Sequence, residues 1–174
     1  MRKEQKRNLR AMAVLGVFLS CAVILGFVEY LIPFDFVIPG IKLGLPNIMT
    51  LLVLRKKGIA YAMPFAAIRA IINNLLFGNA VALVYALAGG VLSVLAMWAI
   101  GKVKIFGTCG QSVAGAIGHN IGQLISAAAI LATPAMIGYY LPFLMVSAAI
   151  SGFLIGIAES VVEAHFNRVY RHRF

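Results

Sequence analysis

The stretch IPFDFVIPGIKLGLPNIMTLLVLRKK, residues 32–57, decides how this chain is threaded. It separates an apolar run at residues 9–31 from another at residues 58–77. Pro33, Pro39 and Gly40 end the helix that the first run dictates, because proline lacks an amide donor and clashes with the preceding turn. Beyond Lys42 the chain turns apolar again, but only over residues 43–54, before Arg55, Lys56 and Lys57. A helix needs about 20 apolar residues to cross a bilayer, so this second piece is short. If it crosses, the three basic residues share a side with the N-terminus. If it re-enters, they stand opposite and every later loop inverts.

Working outward, further spans read at residues 80–100, 112–131 and 139–158. Gly78 and Asn79, the segment GKVKIFGTCGQ at 101–111, and Thr133, Pro134 and Gly138 separate them. The basic residues then discriminate between the two threadings. Arg2, Lys3, Lys6, Arg7 and Arg10 precede span one, Arg55, Lys56 and Lys57 follow span two, Lys102 and Lys104 follow span four, and Arg168, Arg171 and Arg173 follow span six. The crossing reading gathers all of these on one side and leaves only Lys42 opposite, with Arg69 inside span three. Lys- and Arg-rich loops stay in the cytoplasm. The expectation is an all-α, polytopic bundle of six transmembrane helices, with basic cytoplasmic tails at residues 1–8 and 159–174.

Composition agrees. The chain is 62% hydrophobic and 11% charged, with a mean hydropathy of +0.97, where soluble domains carry about 25% charged residues. Its 174 residues form one transmembrane domain, with no polar stretch long enough for a second. The net charge of +10 sits in tails and loops, so it reads as topology and not as a nucleic-acid footprint. Cys21 and Cys109 make no disulfide framework. MRKEQKRNLR plus the run after it resembles a signal peptide, but no A-x-A-like site follows, so it reads as a retained helix.

Polar residues inside spans carry the functional signal. Arg69 lies about 16 Å into span three at ~1.5 Å per residue, too deep to snorkel, so it faces a cavity or a partner. Asn73 is one turn on along the same face and Asn74 is adjacent. One reading has Arg69 and Asn73 holding an anion or polar head. The other pairs Arg69 with a carboxylate, Glu29 first, or with helix-end carbonyls. In span five His119, Gln123 and Ser126 share a face and Asn120 adjoins it. They form a pocket wall or interhelical hydrogen bonds. Ala13, Gly16 and Ser20 in span one have the small-residue spacing that lets helices approach, internally or as a docking face. The C-terminal EAHFNRVYRHRF reads as a surface helix on anionic lipid. No catalytic, metal or cofactor site is expected. No G-x-x-x-x-G-K-[ST] occurs, and the only acids are Glu4, Glu29, Asp35, Glu159 and Glu163, with no Asp-rich pair for Mg²⁺ on a diphosphate.

PGIKLGLPNI at 39–48, RAIINNLLFG at 69–78, YALAGGVLS at 85–93, GAIGHNIGQL at 115–124 and YYLPFLMVSAAISGFLIG at 139–156 together resemble the Gx transporter family, also labelled heptaprenyl diphosphate synthase component I. Pro46 stands where Ala is more usual. That family resembles the substrate-binding (S) components of energy-coupling factor (ECF) transporters. The resemblance implies a six-helix fold in the bacterial cytoplasmic membrane with both termini cytoplasmic, a small-molecule ligand near the outer face, and docking on a transmembrane coupling subunit with ABC ATPases. Lys42 and Asn47 would cap the ligand. Arg69, Asn73, Asn74, His119, Asn120 and Gln123 would line the pocket, with Tyr139 and Tyr140 stacking at its outer end. Ala13, Gly16 and Ser20 would face the coupling subunit. The ligand implied is isoprenoid- or quinone-related. The older label implies the alternative, a membrane component associated with a heptaprenyl diphosphate synthase, any ATPase or prenyltransferase activity lying in partner subunits.

Overall fold

A computed structural model describes residues 2–32 and 44–170. The described residues form six α-helices and no strand: α1 Arg2–Leu31, α2 Asn47–Lys57, α3 Ile59–Phe77, α4 Ala80–Gly101, α5 Gly107–Ile130 and α6 Ala135–Tyr170, with a 3₁₀ turn at Lys104–Phe106 before α5. Five of them are long and apolar enough to cross a bilayer, over Leu9–Leu31, Ile59–Phe77, Ala80–Gly101, Gly107–Ile130 and Ile137–Arg168. The chain is thus built as a multi-pass membrane protein. The helix α2 is not among the five: its 11 residues reach about 16 Å.

This short helix is the centre of the fold. Every residue from Asn47 to Leu54 is buried, and α1, α3, α4 and α6 all pack on it. Leu51, Leu52 and Val53 form one core with Phe18 and Ala22 of α1, Phe65 and Ala66 of α3, Val94 and Met97 of α4 and Ile155 of α6. In hydrocarbon, backbone polar groups must be satisfied internally, so irregular chain is tolerated only inside protein. A helix too short to cross therefore sits inside the protein from Asn47 to Leu54 and is exposed only at its basic C-terminal turn. At its start Pro46 loses nothing by lacking an amide. Gly44 takes φ +76, a conformation that suits glycine, and its carbonyl accepts from the Asn47 amide at 2.8 Å.

The other side of the bundle is joined backbone to backbone. A Cβ placed on Gly122 of α5 would lie 2.6 Å from the Ala88 carbonyl oxygen of α4. One on Gly156 of α6 would lie 2.6 Å from Cys109 Cα of α5. Small residues thus let α4, α5 and α6 approach closely.

Both segments read as tails from the sequence are helical as far as they are described, since α1 begins at Arg2 and α6 continues to Tyr170. The last turns of α6 return to α1: Phe166 meets Phe18 edge-on with ring centroids 5.4 Å apart. They also meet the end of α2, where Lys56 Nζ donates to Asn167 Oδ1 at 2.8 Å. The middle of α1, the end of α2 and the end of α6 therefore lie together, at what we term the basic end.

Candidate functional site

The far end of α2 gathers polar groups from three helices. Arg69, midway along α3, donates from Nη2 to Asn47 Oδ1 at 3.0 Å. Both residues are buried, at 7% and 8% exposure. Glu29, near the end of α1, accepts at Oε1 from the Gly44 amide at 2.7 Å, and its charge attracts Arg69. The carboxylate thus fastens the backbone that leads into α2 and balances the buried cation. Of the partners foreseen for Arg69, Glu29 acts on it electrostatically, while the direct hydrogen bond goes to the Asn47 side chain, which the sequence did not suggest as its partner.

The pairing leaves capacity unused. Arg69 Nε, Thr50 Oγ1, Asn73 Oδ1 and Ser93 Oγ are buried without a hydrogen-bond partner. Most buried polar atoms have one, and each unpaired one costs about 1–3 kcal/mol. Next to Asn47 lies a cavity of about 20 Å³ bounded by Gly44, Met97, Ser112, Gly115, Ala116, His119, Asn120, Ser151 and Ile155. It has room for about one water, whereas pockets for organic ligands measure about 300–1,000 Å³. In this conformation the start of α2 faces α5 and α6 across this small cavity.

The residues singled out in the sequence separate into groups. Asn47, His119 and Asn120 line the cavity, and Arg69 reaches it through Asn47. Asn120 also joins helices, its Nδ2 donating to the Leu144 carbonyl of α6 at 3.0 Å. His119 and Gln123 pack on Gly89 of α4, where a Cβ would lie 2.9 Å from His119 Nδ1 and 3.0 Å from Gln123 Cγ. Ser126 bonds back to Gly122 of its own helix. Asn73 fills the space over Gly26 of α1, and Asn74 donates to its own helix at Ala70 O, 2.8 Å. Tyr139 and Tyr140 are 76% and 39% exposed and do not border the cavity. Lys42 lies outside the described residues. Ala13, Gly16 and Ser20 are exposed on α1, and a Cβ on Gly16 would meet nothing within 4 Å, so this face is not used within the bundle.

A family match covers this architecture: the description heptaprenyl diphosphate synthase component I fits residues 18–162. The chain belongs to that family. No curated protein and no solved structure matches it. The matched part of this component I chain runs from Phe18 in α1 to Val162 in α6, and contains the Arg69–Asn47 pair and the whole cavity.

Sequence reasoning missed two features. Ser112 and Gly115 line the cavity with His119, and their spacing on α5 would have disclosed the shared face. At the basic end, Glu163 accepts from Lys56 Nζ at 2.6 Å and Arg55 Nη2 at 2.9 Å, Arg55 Nη1 lies 3.8 Å from the fully buried Glu159, and Arg55 also bonds Thr108 of α5. Glu159 and Glu163, four apart just after an apolar run, were the signal for it.

Proposed function

We propose that this component I family member is the substrate-binding component of an ECF-type uptake system for a small organic solute with an anionic or polar head. The observation that carries this reading is the buried Arg69–Asn47 pair at 3.0 Å beside a cavity lined by His119 and Asn120. A buried guanidinium with an unpartnered Nε suits a planar anionic head. The solute enters when the start of α2 separates from α5 and α6, since the closed cavity takes about one water.

In this reading α2 serves as the sixth span, and the basic end faces the cytoplasm of a bacterial cytoplasmic membrane. Asn73, Asn74 and Gln123 back the pocket through the helix contacts they already make, and Tyr139 and Tyr140, exposed away from the cavity, take no direct part. The exposed Ala13, Gly16 and Ser20 face docks a transmembrane coupling subunit, and ABC ATPases bound to it supply the energy. The family description favours an isoprenoid- or quinone-related solute. It equally supports a second reading, a membrane subunit that holds a soluble heptaprenyl diphosphate synthase at the bilayer.

The test is to purify the full chain from its native membrane and identify the small molecules and proteins that accompany it. A saturable solute whose affinity falls about tenfold or more in Arg69→Gln and His119→Ala, together with ATPase subunits, supports the first reading. A stable complex with a prenyl diphosphate synthase and no ATPase supports the second. No saturable solute, with both residues replaceable at no cost, overturns the first.

A further inference from the structure

Away from the Arg69 site, a groove of about 480 Å³ opens at the basic end between the first turn of α5 and the last third of α6. Cys109, Ile157, Val161 and Ala164 line its apolar part, and His165 and Arg168 its polar end. We propose that this groove is a specific site for one anionic phospholipid, the acyl chains lying along α6 and the phosphate meeting Arg168 and His165.

Three observations converge on an amphiphile with a negative head. The first is an apolar track. Ile150, Phe153, Leu154 and Ile157 are 61%, 53%, 57% and 45% exposed, and with Val161 they follow one face of α6 at helical spacing. The track runs from the membrane directly into the groove. The second is depth. The 36 residues of α6 extend about 54 Å, beyond the ~30 Å hydrocarbon core. If about 20 of them from Ala135 cross it, the groove falls at the level of the headgroups. The third is charge. Both acids of α6 are committed on another side of the helix, Glu163 to Arg55 and Lys56 and Glu159 to Arg55. Among the described residues no carboxylate pairs with Arg168. Arg171 and Arg173 follow it in sequence with no acid between.

The site does not depend on the proposed solute pocket, so either can fail alone. Size favours a headgroup over a lone ion, because the groove exceeds the liquid volume of one water, ~30 Å³, many times over. Arg168 contributes a fixed planar donor fork matched to phosphate, and His165 adds a ring donor.

The experiment is native mass spectrometry of the full chain exchanged into micelles doped with phosphatidylglycerol or phosphatidylcholine. One phosphatidylglycerol is expected to stay bound, preferred at least about fivefold over phosphatidylcholine, as one basic residue near an anionic surface confers. Arg168→Gln should lower its retention by about fivefold. Ala164→Trp, which fills the groove without touching the charge, should also expel it. Lys57→Gln, an exposed cation at the same end outside the groove, should leave retention unchanged. Equal retention of the two lipids, an unaffected Arg168→Gln, or an equal loss in Lys57→Gln would each overturn the proposal. Displacement of the lipid by pyrophosphate alone would do so too, by identifying a soluble phosphate as the occupant.

Discussion

At its N-terminal end α2 offers Asn47 to the buried Arg69 while Thr50 Oγ1 and Arg69 Nε stay without hydrogen-bond partners; at its C-terminal end Arg55 and Lys56 are met by Glu159, Glu163, Asn167 and Thr108. One helix of 11 residues thus joins a polar site with a single direct hydrogen bond to an ionic cluster in which Glu163 is doubly paired, while both oxygens of the buried Glu159 also lack a hydrogen-bond partner. Partly satisfied networks are unfavourable for stability alone, so a folded chain retains them where something else is gained. The paired end holds α2 to α6 and α5. The unpaired end has hydrogen bonds left to give.

Substitutions at the two ends should therefore differ in kind. The largest loss of stability is expected from Arg55→Ala, which strands the fully buried Glu159 carboxylate and should cost about 3 kcal/mol. Denaturation in detergent micelles measures it. The double variant Arg55→Ala with Glu159→Gln should recover more than half of that loss, as coupled neighbours do. If it recovers nothing, the ionic anchor is misassigned. At the opposite end Arg69→Met takes the donor from Asn47 Oδ1 and the counter-charge from Glu29, so it should cost about 1–2 kcal/mol, less than Arg55→Ala because Glu29 is only half-buried and keeps the Gly44 amide. The same variant should lose about 10- to 100-fold in affinity for any co-purifying solute. A destabilisation as large as that of Arg55→Ala would erase the contrast between the ends.

A smaller effect is expected at Gly89, where an added methyl lies 2.9 Å from both Nδ1 and the backbone oxygen of His119. Overpacking costs about 1–3 kcal/mol and alanine regains about 1 kcal/mol of helix propensity. Gly89→Ala should therefore cost roughly 1 kcal/mol and disturb solute binding through His119. Smallest of all, Tyr139→Ala should change stability by less than about 0.5 kcal/mol and leave solute affinity unaltered, given its 76% exposure. A marked loss of affinity in a binding titration would mean that the outer end of α6 folds over the site when it is filled.

Much of this architecture was legible beforehand, because hydropathy reports directly on which residues lipid can accept. The runs at 58–77 and 80–100 match α3 and α4 within a residue or so. Hydropathy does not report where a helix stops. Residues 159–170 are polar enough to leave the membrane, yet they stay helical with Glu163 bound to α2 and Phe166 edge-on to Phe18 of α1. The site was half legible. Arg69 and His119 stand out as polar residues in apolar spans. The Arg69–Asn47 bond joins residues 22 apart in sequence and depends on how deeply α2 inserts, which no local pattern encodes. Gly89, Gly122 and Gly156 are visible as small residues, but which backbone each admits follows only from the assembled bundle.

The burial of α2 also bears on biogenesis. Eight consecutive residues of this helix never face lipid in the folded chain, and at about 16 Å it is too short to partition into a bilayer as an independent span during synthesis. The groups that fix its end, Glu159, Glu163 and Asn167, belong to α6, which is made after the other described helices. The core of this protein is consequently an early-synthesised segment that waits for the final turns of α6 to emerge from the ribosome before it can lock into place.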